Sequence, residues 1–67
     1  MTDQAREPLF EFVRGRDRFA CELRYHGAYG VEAQIYVNGE LLIGRRFDTR
    51  ALAVQWAEEE RREREAV

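Results

Sequence analysis

The dipeptide Asn38-Gly39 lies between two stretches of alternating apolar and polar residues, and it constrains the fold more than any other feature. Both residues tolerate positive φ, so the pair is the strongest short-range signal for a tight β-hairpin turn. Residues 31–37 alternate with a period of two, which is typical of a half-buried strand. Residues 40–47 then form the returning strand. The predicted apolar face of the first strand consists of Val31, Ala33, Ile35 and Val37.

A third strand precedes this hairpin. Residues 18–26 alternate in the same way, and two glycines, Gly27 and Gly30, then provide a loop of hairpin length. The segment 9–13 is apolar and aromatic, and it predicts a further short strand at the edge of the sheet or packed against a partner. The apolar face of the strand over residues 18–26 consists of Phe19, Cys21, Leu23 and Tyr25.

The remainder of the chain predicts a helix over about residues 49–64, with Asp48 or Thr49 as its N-cap. We expect Trp56 to be the central core residue. The predicted fold is α+β: an antiparallel β-meander of three strands, with an optional fourth N-terminal strand, followed by one C-terminal helix packed on the sheet. Residues 1–8 are expected to form a disordered leader, and 9–67 a single domain. The apolar stripe of the helix consists of Leu52, Ala53, Trp56 and Ala57.

A chain of 67 residues has room for one small hydrophobic core. Domains of this size usually gain stability from disulfides, a metal or self-association. A single cysteine, Cys21, excludes an internal disulfide, and with one histidine, His26, it falls far short of a zinc site. Self-association is therefore the compensation that the sequence leaves open.

The N-terminal residues lack the cationic and apolar regions of a signal peptide, and no apolar run has the length of a membrane span. We therefore expect a cytoplasmic protein that does not associate with membranes. The sequence predicts no cofactor and no small-molecule substrate. The formal net charge of −2 argues against a generic nucleic-acid binder.

The register of the 31–47 hairpin is open at the level of sequence. A two-residue turn pairs Ile35 with Leu42 and brings Tyr36, Leu41 and Ile43 together on the outer face. A three-residue turn with a bulge instead pairs Ile35 with Leu41, and it leaves mainly Tyr36 and Leu42 outside. A shift of one residue exchanges the two faces, so the choice decides whether the domain exposes an apolar patch.

Catalytic chemistry is not predicted. Cys21 and His26 are five residues apart in one strand, so they point to opposite faces and lie about 16 Å apart at roughly 3.3 Å per residue. Cys21 shares its face with apolar residues and is interpreted as a core side chain. The loop over residues 27–30 matches neither a dinucleotide-binding nor a P-loop spacing. The sequence therefore predicts a protein that is not an enzyme.

The polar face of the sheet is the best candidate for a binding site. Arginine and glutamine read base edges, and an aromatic ring lies well on a sugar or a base. The competing interpretation is a solvated surface on which Glu22 and Glu32 pair with these arginines. The candidate residues are Arg24, His26, Gln34 and Tyr36, joined by Arg45 or Arg46 according to the register.

The segment Gly44-Arg45-Arg46-Phe47-Asp48-Thr49-Arg50-Ala51-Leu52-Ala53 follows three strands and opens the helix. This arrangement, over residues 18–60, resembles the AP2-type DNA-binding domain and the related N-terminal arm-binding domain of phage integrases. The chain differs in having one residue more between Gly44 and Phe47 and no tryptophan in its strands. The resemblance implies that the outer face of the sheet lies in the major groove of DNA.

Two functions follow from these observations. The first is a small binding or interaction module that acts as a homodimer or through a protein partner, favoured by the thin core and the apolar 9–13 segment. The second is DNA binding through the outer face of the sheet. An apolar outer face favours a protein partner, whereas a face lined with arginine favours nucleic acid.

Overall fold

A computed structural model describes residues 6–66 and shows an antiparallel sheet of four strands with one helix packed on it. The strands follow one another in the sheet as they do in the chain, in the order β1-β2-β3-β4. The predicted α+β meander with a C-terminal helix is therefore confirmed, with its optional fourth strand present. The elements are β1 (Arg6–Arg14), β2 (Asp17–Tyr25), a short 3₁₀ turn (Gly27–Tyr29), β3 (Val31–Val37), β4 (Glu40–Phe47) and α1 (Arg50–Glu65).

The first strand is longer than the sequence predicted. β1 begins at Arg6, inside the segment 1–8 that was expected to be a disordered leader, and residues 1–5 lie outside the described part of the chain. It pairs with β2 along its length, with a bulge between Pro8 and Phe10. Phe12 stacks on Phe19 of β2, with ring centroids 5.0 Å apart. The apolar 9–13 segment thus packs within its own domain, as an edge strand.

The turn at Asn38-Gly39 has the backbone that its sequence predicts, with φ of 54° and 86° at the two residues. The Asn38 side chain also accepts a hydrogen bond from the backbone N–H of Arg18 at 2.9 Å and donates one to Asp17 at 3.0 Å. The asparagine therefore ties this turn to the start of β2, beyond its conformational role.

The register of the β3–β4 hairpin combines features of both alternatives. A two-residue turn pairs Val37 with Glu40 and Tyr36 with Leu41, and a bulge then brings Ile35 opposite Ile43. Beyond the bulge, Glu32 pairs with Arg46. Because the bulge inserts one residue into β4, Ile43 turns to the face that carries the helix, while Tyr36 and Leu41 stay on the opposite face.

The core lies between α1 and the middle of β2 and β3. Leu23 and Ile35 are fully buried there, and Ala53 and Ala57 of the helix have no exposed surface either. The two alanines let the helix approach the sheet closely. Trp56, expected at the centre, is half-buried and packs against both groups of buried residues, with its ring 5.9 Å from that of Phe47.

The predicted helix stripe is wrong at one position. Leu52 is 48% exposed, and Val54 packs against the core instead. The N-cap is Thr49, whose hydroxyl accepts a hydrogen bond from the backbone N–H of Leu52 at 3.2 Å. Ala53 and Ala57 face the sheet, so Leu52 lies on the same side of the helix as Trp56 one turn later, whose ring contacts Phe47 of β4.

A carboxylate joins the start of the helix to the sheet. Glu7 on β1 accepts hydrogen bonds from the Arg50 guanidinium, with Nε at 3.0 Å, and from the Tyr25 hydroxyl on β2. The Arg50 hydrogen bond, followed by that of Tyr25, lowers the pKa of Glu7 from 4.5 to about 2. Protonating Glu7 is therefore harder in the folded chain than in the unfolded one.

This pKa shift predicts an acid-dependent loss of stability. A depressed carboxyl pKa stabilises the folded state fully above about pH 4.5, and this contribution is lost as the pH falls toward about 2. Replacing Glu7 with glutamine should make the free energy of unfolding less dependent on pH in this range, as measured by urea denaturation at a series of pH values. Glu63→Gln, which removes an exposed helix carboxylate, is the matched control. Equal slopes for the two variants would contradict the assignment.

Candidate interaction surfaces

The candidate residues predicted from the sequence are placed mainly on one face of the sheet, the outer face, which lies opposite α1. Arg24 pairs across the strands with Glu32, and Glu22 pairs with Gln34, which together form the middle of this face. Tyr36 donates a hydrogen bond from its hydroxyl to Gln34 Oε1 at 2.6 Å. The outer face brings together Arg24, Gln34, Tyr36 and Arg46, with His26 at its margin.

Arg45 is the candidate that does not belong to this set. It pairs with Ala33, which is buried beneath the helix, so its side chain lies on the helix face. Its guanidinium carbon is 5.3 Å from the centre of the Phe47 ring, a cation–π contact. The bulge in β4 decides between the two arginines, since it gives Arg46 to the outer face and Arg45 to the other.

The charged groups of the outer face largely pair with one another. Glu22 accepts hydrogen bonds from Arg6 at 3.0 Å and from Arg24 at 3.2 Å. His26 Nε2 lies 2.9 Å from Glu32 Oε1. Burial raises the pKa of Glu32, but the hydrogen bonds from His26 and Gln34 outweigh it, so the net pKa is lowered. Much of this face therefore has the ion-paired character that the competing interpretation described.

A shallow depression of about 770 Å³ nevertheless lies on this face, toward the end of the sheet that carries the Asn38-Gly39 turn. Its walls carry both signs of charge, since Glu11 and Glu22 stand among the arginines. Glu11 lies 3.9 Å from the Arg18 guanidinium. The basic residues that line it are Arg6, Arg16, Arg18 and Arg24.

Cys21 and His26 lie apart, as their spacing predicted. The Cys21 side chain is buried on the helix face beside Ile35 and Ala57, and burial raises the pKa of its thiol to about 11. His26 contacts Glu32 at the margin of the outer face. Within residues 6–66, no three His, Cys, Asp or Glu side chains are close enough together to hold a metal ion. The one helix of this part of the chain lacks the length and apolar character needed to cross a membrane.

A second surface lies along β4, and we call it the β4 edge: the outward side of residues 40–47. Within residues 6–66 this strand pairs only with β3, so its other side carries unpaired backbone groups. Three consecutive apolar side chains are exposed on it: Leu41 at 55%, Leu42 at 53% and Ile43 at 39%. Leu52 of α1 is a further exposed apolar side chain, at 48%.

The opposite edge of the sheet has a different character. β1 contains Pro8, which has no backbone N–H to donate, and a bulge follows directly. Its exposed positions are mainly charged, and the Phe10 ring is covered by the Arg61 guanidinium at 5.3 Å. Among the large apolar side chains that are exposed in the described part of the chain, Val13 is the one that belongs to β1. The sheet thus has one edge protected against strand addition and one edge that is apolar.

The sequence pattern did not locate the β4 edge as a site. It left open which of Leu41, Leu42 and Ile43 would be buried, whereas the structure leaves all of them exposed, with Leu41 on the outer face and Ile43 on the helix face. The run of apolar residues after Asn38-Gly39 was the available signal, because a strand buried on one face only does not need a run of this kind.

Comparison with protein-family models, with curated proteins and with solved structures gives no match for this chain. The resemblance to AP2-type and integrase arm-binding domains therefore stays a prediction drawn from the sequence.

Proposed function

We propose that this chain is a small interaction module that self-associates through the β4 edge. The observation that carries this proposal is the exposure of Leu41, Leu42 and Ile43 on a strand whose outward backbone groups have no partner among the described residues. An edge strand that is long and apolar is a template for pairing with another chain. A second copy satisfies the backbone groups and covers the apolar side chains in the same step.

The strength of this association follows from the area that remains exposed. Burying an aliphatic side chain fully contributes about 1.5–3 kcal/mol, and these side chains keep roughly half of their surface exposed in the single chain. A symmetric dimer covers this set of side chains on both copies, which contributes several kcal/mol in favour of association. Loss of translational and rotational freedom opposes association by about 4–15 kcal/mol. The two terms are of similar size, so we expect a weak, reversible dimer that forms at high protein concentration.

Replacing Leu42 with lysine tests the proposal. The side chain is 53% exposed, so the fold tolerates the change, whereas a charge at the edge opposes strand pairing. We expect the wild-type chain to show a concentration-dependent mass in sedimentation equilibrium between low micromolar and near-millimolar concentration, and Leu42→Lys to remain a monomer throughout.

Val13→Lys is the matched control. Val13 is 66% exposed on the protected edge, so the same change of apolar to cationic side chain should leave the dimer unaffected. Circular dichroism of both variants establishes that they are folded. A wild-type chain that stays monomeric near millimolar concentration, or a Leu42→Lys variant that dimerises like the wild type, would overturn the proposal.

DNA binding through the outer face is the second candidate. It is supported by the four arginines around the 770 Å³ depression and by the placement of Arg24, Gln34, Tyr36 and Arg46 on the same face. It ranks second because Glu11, Glu22 and Glu32 lie on this face too and pair with several of the cations. A surface of this balance attracts phosphates weakly.

The two candidates separate in a titration with duplex DNA at low salt. Binding through the outer face predicts an affinity that falls steeply as salt is added, and a weaker affinity for the double variant Arg24→Ala/Arg46→Ala. Leu42→Lys should leave this binding intact. An affinity that the double variant retains would exclude the outer face as the DNA-binding surface.

A further inference from the structure

The bulge in β4 determines which of its side chains lie on each face. Residues paired across antiparallel strands point to the same side of a sheet, so each β4 residue takes the face of its β3 partner. On the helix face, Glu40 pairs with Val37, Ile43 with Ile35 and Arg45 with Ala33. On the outer face, Leu41 pairs with Tyr36, Gly44 with Gln34 and Arg46 with Glu32.

This pattern restricts how β4 pairs with a second copy of itself. In a regular strand, a two-fold axis that passes between two neighbouring residues would place residues opposite each other whose side chains point to different faces of the sheet. The axis of a regular strand therefore has to pass through a residue. Because the bulge adds one residue in the middle of β4, the requirement is the opposite for pairs that join one half of the strand to the other half. For such pairs, the axis has to pass between two residues. An axis on Ile43 places Glu40, on the helix face, opposite Arg46, on the outer face. An axis between Leu42 and Ile43 gives pairs whose faces agree: Glu40 with Arg45, and Leu41 with Gly44.

Charge selects the same register. With the axis between Leu42 and Ile43, Glu40 of each copy lies opposite Arg45 of the other, and this ion pair occurs twice. An axis on Arg45 also matches the faces, but it places two guanidinium groups opposite each other, and like charges directly opposite are destabilising. The pairing thus combines agreement of faces with agreement of charge.

We infer that two copies of this chain pair antiparallel through β4 about a two-fold axis between Leu42 and Ile43, with Glu40 of each opposite Arg45 of the other. This inference rests on the proposed self-association and specifies its partner and register. The result is a continuous sheet of eight strands with both helices on one side. The apolar Leu42 and Ile43 side chains lie at the axis, where water is best excluded, and the two ion pairs lie at the ends.

Charge exchange tests the register. Glu40→Arg places arginine opposite Arg45 at both ends, and Arg45→Glu places glutamate opposite Glu40 at both ends. Each variant alone should dimerise about tenfold or more weakly than the wild type, because both ion pairs become repulsive. Mixing the two variants restores a Glu–Arg contact at each end, so the mixture should form a heterodimer of near wild-type affinity, resolved by native mass spectrometry.

Arg46→Glu is the matched control, since Arg46 lies next to Arg45 but on the outer face. Arg46→Glu alone should dimerise like the wild type, and its mixture with Glu40→Arg should form no heterodimer of near wild-type affinity, because one end then holds the arginine introduced at position 40 opposite Arg45. Circular dichroism again monitors folding, because Arg45→Glu also removes the contact with Phe47.

The outcomes distinguish the inference from the function on which it rests. Recovery only in the Glu40→Arg and Arg45→Glu mixture supports the register. A wild-type dimer for which this mixture brings no recovery, or for which the Arg46→Glu mixture does so instead, overturns the register and leaves self-association standing. A wild-type chain that is monomeric at all concentrations overturns both.

Discussion

Replacing Leu23 with alanine is expected to lower the free energy of unfolding by about 2–5 kcal/mol. Leu23 is fully buried between the sheet and the helix, in contact with the cluster that contains Ala33 and Ala53. Truncation loses its apolar burial and leaves a cavity that neighbours held in the sheet cannot fill. A domain of this size is stabilised by only several kcal/mol in all, at roughly 0.05–0.15 kcal/mol per residue, so the variant should be largely unfolded at moderate temperature.

Leu52→Ala provides a comparison with the same chemistry. Leu52 is 48% exposed on the helix flank, so the same truncation should cost far less. Urea denaturation measured at a concentration where the chain is monomeric gives both values. Equal losses for the two variants would show that the helix does not sit over Leu23 as described.

A second large effect is expected from adding volume rather than removing it. Ala57 has no exposed surface and lies against Cys21 and Ile35, so Ala57→Leu has no space for its added side chain. Overpacking of this kind typically costs about 1–3 kcal/mol and sometimes more. The helix must move away from the sheet to accommodate leucine, even though leucine and alanine are both good helix formers.

Ala51→Leu is the control, because Ala51 is exposed on the same helix. Its thermal unfolding should change little. A stable Ala57→Leu variant would mean that the separation between helix and sheet is set by residues other than the two alanines.

The strands and the helix were predictable because their signals are local. Alternation with a period of two marked the faces of β2 and β3, and Asn38-Gly39 marked the turn between β3 and β4 by its tolerance of positive φ. The N-terminal strand was predicted only as an option, beginning near residue 9 rather than at Arg6. Its first residues are charged and include a proline, and they are held by Glu7 bonding to Tyr25 and Arg50, which are distant in sequence.

The candidate site was predictable only in part. The outer-face residues Arg24, Gln34 and Tyr36 lie on strands whose alternation is uninterrupted, so their common face followed from the pattern. Which of Arg45 and Arg46 lies on the outer face depends on the bulge in β4, and no residue type in this strand predicts the position of that bulge. The same bulge places Leu41 on the outer face and Ile43 on the helix face, and both are exposed, as is Leu42.

The sequence by itself determined the order of the elements, the turn at Asn38-Gly39 and the inward faces of β2 and β3, because each depends on the conformational and hydrophobic preferences of neighbouring residues. The tertiary structure alone decided the bulge in β4, the rotation of α1 that exposes Leu52, and the exposure of the apolar side chains of the β4 edge. The exposure of Leu52 and of the β4 side chains depends on the helix packing over β2 and β3 at Ala53 and Ala57, which leaves these side chains uncovered. This packing joins residues that are far apart in the sequence, so a local sequence pattern does not predict it.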